Sequence, residues 1–270
     1  HIIVPKLYDG DKAFIMQNDD QRIVFAIPYL QQYTLIGTTD QEFQGDPNHV
    51  EITQHEIDYL LDVSNDHFKV QLTQDDIVAS YSGVRPLCDD ESDNPSAVTR
   101  DYTLSLTQVD GAALLLSVFG GKLTTYRKLA ESAMTLLKPY FEHMRGVWTA
   151  AAKLPGAEHL VSLDILKLNI LEQIQNLDDN TAERWTHAYG SRVWDFLKNI
   201  HNVDELGQHF GCGLYAQEVD YLVEHEWART SQDILKRRTK LYLKFEEESV
   251  QVLDKYLISL RERRLKKEVA

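Results

Sequence analysis

Cysteine is scarce in this chain: Cys88 and Cys212 are the only two among 270 residues. They lie far apart and match no metal-ligand spacing. That excludes a disulfide framework and a cysteine-based zinc site, and leaves two reduced thiols of the cytosolic kind. No uninterrupted apolar run is long enough to span a bilayer, and no signal-peptide pattern opens the chain. Basic residues are outnumbered, 28 Lys and Arg against 42 Asp and Glu, for a formal charge of −14. Such a chain repels polyphosphate backbones, so nucleic acid is not an expected partner. A small anion is still allowed, because a few local cations can hold one. An initiator Met is also missing. The chain opens His1-Ile2-Ile3-Val4-Pro5, a run suited to the middle of a strand, and the expectation is a segment of a longer protein.

What is present is ordinary globular composition, 43% hydrophobic and 26% charged. Short β-branched or apolar runs dominate the first half: His1 to Pro5, Phe14 to Gln17, Ile23 to Pro28 and Thr34 to Thr38, the last two joined by a polar turn through Gln31-Gln32. Thr53 to Phe68 switches to helical spacing, and Thr53-Gln-His-Glu56 has capping-box form. Strand character returns at Ile77 to Val84, Tyr102 to Val109 and Ala113 to Phe119, and Leu123 to Leu137 is again helical. Pro139, Gly146, Pro155 and Gly156 mark a linker. All later candidates are helical: Ile165 to Leu177, Ala182 to Tyr189, Val193 to Asn199, Gln217 to Glu226, Ser231 to Leu243 and Glu247 to Leu265. The expected organisation is α+β, a mostly antiparallel sheet with a strand-turn-helix over residues 1–145, then an all-helical domain over 146–270.

Two segments carry chemistry. Ser117 to Arg127 runs from a strand through Gly120-Gly121-Lys122 into a helix. Such a turn aims backbone N–H groups at whatever lies above the strand end, and its glycines let a ligand approach closely. Lys122 adds a charge and Thr124 or Thr125 a hydroxyl. The plain alternative is a helix capped by Thr124 beside a solvated lysine. In Ala79 to Leu87, Pro86 forces Arg85 into extended backbone, a stiff mount for a guanidinium that could meet a carboxylate, a phosphate or a developing oxyanion. Taken alone, a structural ion pair with Asp89 or Asp90 explains Arg85 as well. Arg100, in Thr99-Arg100-Asp101-Tyr102, is a weaker case of the same kind.

Ile36-Gly-Thr-Thr-Asp40, Tyr81-Ser-Gly-Val-Arg-Pro-Leu87, Thr99-Arg-Asp-Tyr102 and Ser117-Val-Phe-Gly-Gly-Lys-Leu-Thr-Thr-Tyr-Arg127 occur in this order. Together they resemble aerobic, FAD-dependent glycerol-3-phosphate dehydrogenases, flavoproteins of the glycine-oxidase and D-amino-acid-oxidase type. The resemblance covers essentially the whole chain. It implies oxidation of sn-glycerol 3-phosphate to dihydroxyacetone phosphate, with electrons passed to membrane quinone. By the same resemblance Gly120, Gly121, Lys122, Leu123 and Thr124 face the flavin, Arg85 lies beside the substrate oxygens, and Arg100 and Lys122 meet its phosphate. His1 matches a histidine that could take the C2 hydroxyl proton.

The dinucleotide fingerprint G-x-G-x-x-G is absent, so the main FAD grip is expected upstream and the isolated segment is expected to be inactive. The implied location is cytoplasmic, peripheral on the inner face of the cytoplasmic membrane, and the resemblance leaves room for a homodimer. Arg261, Arg263, Arg264, Lys266 and Lys267 give the last helix a basic end, suited either to an anionic membrane or, as preferred here, to its own helix dipole. A glycerophosphate oxidase using oxygen shares these motifs. A non-catalytic partner-binding module is the rival from another class.

Overall fold

The computed structural model describes residues 1–85 and 101–268. It divides into two compact units, residues 1–150 and 151–270.

The first unit opens with strands β1 (Ile2–Pro5), β2 (Phe14–Gln17), β3 (Ile23–Tyr29) and β4 (Tyr33–Gly37), followed by helix α1 (Gln54–His67) and the short strand β5 (Ala79–Ser80). They form one sheet in the order β2-β3-β4-β1-β5, every neighbouring pair antiparallel. Strand alternation sends Ile2, Val4, Met16, Val24, Ala26 and Ile36 to one face, where they are buried with Leu60, Leu61 and Val63 of α1. Thr53 starts α1 with the expected reciprocal cap: its hydroxyl accepts from the Glu56 N–H at 3.3 Å, and Glu56 Oε2 accepts from the Thr53 N–H at 2.9 Å. The strand expected over 77–84 shrinks to Ala79–Ser80. Before it, the Thr73 N–H donates to Asp76 Oδ2 at 2.7 Å and a 3-10 turn forms at Gln74–Asp76. The pairing with β1 continues through the Val78 and Tyr81 N–H bonds to the Ile3 and His1 carbonyls. A separate hairpin of β6 (Thr103–Thr107) and β7 (Leu115–Phe119) leads through a 3-10 turn at Leu123–Thr125 into α2 (Tyr126–Leu137). Pro86 to Arg100 lie outside the described residues.

The second unit contains α3 (Leu163–Gln173), α4 (Asp179–Tyr189), α5 (Trp194–Leu197), a hairpin of β8 (His209–Gly211) and β9 (Leu214–Tyr215), α6 (Ala216–His225) and α7 (Glu247–Glu268). Ser162 and Asp178 cap α3 and α4 by accepting from the N–H groups of Ile165 and Thr181. The core gathers Ile170, Trp185, Leu197, Leu206, Leu222 and Ile234, all fully buried. This unit is helical as expected, but the hairpin β8–β9 was not foreseen: its strands are too short to display a period. Ser231 to Leu243 is not one α-helix either. A π turn spans Asp233–Arg238, because the Thr239 N–H reaches back five residues to the Ile234 carbonyl at 2.9 Å, and the Thr239 hydroxyl donates to the same oxygen. The last helix buries Leu253, Leu257 and Leu260. Its basic end is held within the unit: Arg261 donates to the Arg229 carbonyl and Arg264 pairs with Glu224 at 3.2 Å. Among the described residues no helix is long and apolar enough to cross a membrane.

Candidate active site

His1 prolongs β1 by one residue. Its nitrogen donates to the Tyr81 carbonyl at 3.0 Å, and the Tyr81 N–H donates back to the His1 carbonyl at 3.1 Å. The registers that pair Ile2 with Ile36 and with Ser80 therefore set His1 between Gly37 on β4 and Tyr81 beyond β5. Side chains directly opposite in a ladder share a face. Ile2 faces α1, so His1 lies on the other face of the sheet. Its imidazole stacks on the Tyr81 ring, centroids 4.7 Å apart and 4° from parallel. On its other side a Cβ at position 37 would come within 2.3 Å of the imidazole, so only glycine leaves that bed open. The same face carries Ile15, Phe25 and Ile27, all exposed.

β4 and β5 both run antiparallel to β1, so they run parallel to each other and end at the same edge. The chain that leaves β4 reaches Asp40 and the chain that leaves β5 reaches Arg85; the two side chains form an ion pair. Thr39 donates its hydroxyl to Glu56 Oε1 at 2.5 Å, which ties the segment after β4 to the start of α1. Partial burial opposes ionisation of Glu56, but the bonds from Thr39 and Thr53 outweigh it and hold the carboxyl below its usual range.

The glycine-rich turn stands on the hairpin. Gly120 and Gly121 have φ of +69° and +110°, which side chains rarely adopt. A Cβ at Gly121 would only touch Leu129 at 3.4 Å and Tyr102 at 3.5 Å, so it is the backbone conformation that calls for glycine there. Lys122 Nζ lies 3.4 Å from Asp101, both side chains largely exposed, and the Thr125 hydroxyl donates to the Lys122 carbonyl at 3.0 Å. Leu123 is 90% exposed and no residue of α2 is buried. Leu123 and Thr124 form the 3-10 turn that leads into α2, and N–H groups at such a start have few carbonyls of their own to bond.

His1 and the Asp40–Arg85 pair thus lie at the same end of one sheet, while Lys122 and the Gly120–Gly121 turn stand on the separate β6–β7 hairpin. Arg100 lies outside the described residues. Arg85 pairs with Asp40; Asp89 and Asp90, the partners considered from the sequence, lie outside the described residues. Asp40, Gly37, Tyr81 and Glu56 were not singled out from the sequence as site residues. Three of them sit within the motifs Ile36–Asp40 and Tyr81–Leu87, so the motif boundaries were the available signal.

A stacked imidazole can take a proton from an alcohol, a guanidinium can stabilise a developing oxyanion, and a glycine turn ahead of a helix suits an anionic or electron-rich ring. That is the equipment of a flavin-dependent alcohol oxidoreductase. Residues 1–127 match the family described as FAD dependent oxidoreductase, and residues 147–266 match the C-terminal domain of alpha-glycerophosphate oxidase. The chain belongs to the FAD-dependent oxidoreductases that carry this C-terminal domain.

It is 58% identical over 260 residues to glycerol-3-phosphate dehydrogenase of Pseudomonas aeruginosa, covering 96% of this chain and 51% of that protein. Aerobic glycerol-3-phosphate dehydrogenase of Escherichia coli is 46% identical over 265 residues, 98% of this chain and 53% of that protein. D-erythritol 1-phosphate dehydrogenase of Brucella abortus is 44% identical over 92% of this chain and 49% of that protein. Among solved structures, glycerol-3-phosphate dehydrogenase from Bacillus halodurans complexed with FAD matches with a TM-score of 0.71 at 28% identity, over 95% of this chain and 50% of that one. The chain spans about half the length of the curated relatives it matches.

Proposed function

We propose that this chain supplies the substrate side of an FAD-dependent dehydrogenase that oxidises sn-glycerol 3-phosphate to dihydroxyacetone phosphate. What supports the reading is the placement of His1 and of the Asp40–Arg85 pair at the same end of one sheet, in a chain that belongs to this flavoprotein family. The residues present fit the ring end of FAD. Gly120 and Gly121 hold positive φ just before the 3-10 turn that leads into α2, and their lack of a Cβ leaves the backbone open to a ring. They do not fit its pyrophosphate end, since no dinucleotide fingerprint occurs in the sequence.

When bound, FAD would take the hydride from the substrate carbon that bears the hydroxyl. The imidazole of His1 accepts the hydroxyl proton as that carbon becomes a carbonyl. The guanidinium of Arg85 stabilises the oxygen while it carries negative charge. Lys122 and Arg100 bind the phosphate through charge-assisted contacts. The N–H groups of Leu123 and Thr124, with the α2 dipole, face the cofactor and favour negative charge there. The two electrons leave to a membrane quinone, which takes up two protons and becomes a quinol. This acceptor places the whole protein peripherally on the inner face of the cytoplasmic membrane. The same reaction fits a longer polyol phosphate, and the relative named D-erythritol 1-phosphate dehydrogenase favours testing that second substrate.

The experiment is steady-state turnover of the FAD-loaded full-length protein, with either polyol phosphate and with either a quinone analogue or oxygen as acceptor. Glycerol 3-phosphate with quinone is expected to be the fastest pair. Arg85→Lys keeps the charge but loses the planar fork, and should lower turnover at least about tenfold. Oxygen matching the quinone would move the reading to an oxidase. Unchanged kinetics in Arg85→Lys would remove Arg85 from the reacting site.

A further inference from the structure

We propose that Tyr81 and Asp40 are positioning residues: Tyr81 holds the His1 imidazole flat over Gly37, and Asp40 aims the Arg85 guanidinium. The proposal rests on the reading of His1 and Arg85 as the reacting groups, and adds what fixes them in place.

The geometry follows from the sheet. An imidazole at the end of a strand has two free side-chain torsions. Here it is pressed between the bare backbone of Gly37 and the Tyr81 ring, 4.7 Å away and 4° from parallel. That packing removes rotation about the Cβ–Cγ bond, the motion that would swing its nitrogens off target. Arg85 lies past the end of β5, and its long side chain carries large rotamer freedom. Asp40 meets it from the parallel β4 exit, 45 residues earlier in the chain. Asp40 is in turn steadied through its neighbour Thr39, whose hydroxyl donates to the capping carboxylate Glu56 at 2.5 Å. The segment from Ile36 to Asp40 therefore supports both groups: Gly37 is the bed for one and Asp40 the anchor for the other. Neither Tyr81 nor Asp40 needs to touch substrate to act this way. Misplacement by about 1 Å can cost on the order of a hundredfold in rate, so the effect of losing either is large.

The test uses the FAD-loaded full-length protein, with flavin content and thermal midpoint measured for every variant. Asp40→Asn should lower kcat at least about tenfold with KM within about threefold, while Asp40→Glu recovers part of the loss. The discriminating measurement is a double-mutant cycle. In the Arg85→Ala background Asp40→Asn should cost clearly less than in the wild type, because the share of its effect that runs through Arg85 is already gone. Tyr81→Leu should lower kcat and shift the acid limb of the kcat/KM profile, and Tyr81→Phe, which keeps the ring, should restore both.

Additive losses in the cycle, or an unmoved pH profile in Tyr81→Leu, would overturn the positioning roles and leave a merely structural effect. Wild-type turnover in Asp40→Asn and Tyr81→Leu, with His1→Ala and Arg85→Ala both impaired, would sink this inference alone. Wild-type turnover in His1→Ala and Arg85→Ala would remove the underlying site, and the inference with it.

Discussion

Glu218 receives the Arg184 guanidinium on both carboxylate oxygens, at 2.5 and 2.7 Å, inside the core of the second unit. The same carboxylate accepts from the Trp185 ring nitrogen at 2.8 Å and from the Tyr189 hydroxyl at 2.5 Å, and is itself fully buried. Arg184 also donates to the Gly213 carbonyl at 2.8 Å, so α4, α6 and the β8–β9 turn are locked together. Burial alone would ease the proton off Arg184, but Glu218 outweighs it and holds the guanidinium charged; burial and Glu218 both push the Tyr189 hydroxyl well up. The Arg184 Nε has no protein partner, so this network has little slack.

Glu218→Gln is therefore expected to be severe. It keeps the shape but strands the Arg184 charge in a dry site. Breaking one side of a buried pair costs about 3–5 kcal/mol. For a unit of this size that corresponds to a thermal midpoint lower by roughly 10–20 °C. Calorimetry of the full-length protein checks it, and a loss below about 1 kcal/mol would mean the pair is not the lock described.

Glu56 gives a pH-dependent prediction for the first unit. Its carboxyl is held below the usual range because the Thr39 and Thr53 bonds overcome its burial. A carboxyl depressed in the folded state stabilises the fold fully above its unfolded pKa, about 4.3, and that gain is lost as pH falls through the lower folded value. Glu56→Gln should leave the melting temperature less steeply dependent on pH below about 4.3 than in the wild type. Some slope should remain, because Asp20, Asp46 and Asp76 are also held low by hydrogen bonds. Identical slopes in thermal melts of the two proteins would show that Glu56 carries no such linkage.

The strands, α1 with its cap, and the helical second unit were legible because their signals are local: period two, period 3.6, and Thr53 three residues before Glu56. The β8–β9 hairpin and the π turn were not, since one is too short for a period and the other turns on the bonds that Thr239 alone makes to the Ile234 carbonyl. At the site, Arg85 was legible from Pro86, but its partner was not. Asp89 and Asp90 are near in sequence, whereas Asp40 comes close only because β4 and β5 flank β1 and end at the same edge. The stacking of Tyr81 on His1 is hidden for the same reason: it exists only through the register that pairs β1 with β5.

Lys122 offers the most direct test of substrate choice. Its ammonium lies 3.4 Å from Asp101, and both side chains are largely exposed. Such a pair is worth about 0–1 kcal/mol, so a phosphate dianion can displace Asp101 at little cost. A charge-assisted contact contributes about 1.5–3 kcal/mol. Lys122→Ala in the full-length protein should then lose roughly tenfold to a hundredfold in kcat/KM for glycerol 3-phosphate. Reaction with glycerol, which lacks the phosphate, should barely change. Arg100→Ala should show the same selective loss. Asp101→Asn should act in the opposite direction, lowering KM for the phosphorylated substrate by freeing Lys122. Flavin midpoint potentials separate a second role: loss of Lys122 beside the Gly120–Gly121 turn should lower the potential by removing a nearby positive charge, and loss of Arg100 should not. Equal losses on glycerol and glycerol 3-phosphate would mean that these cations serve folding or flavin placement, and the phosphate assignment would then be withdrawn.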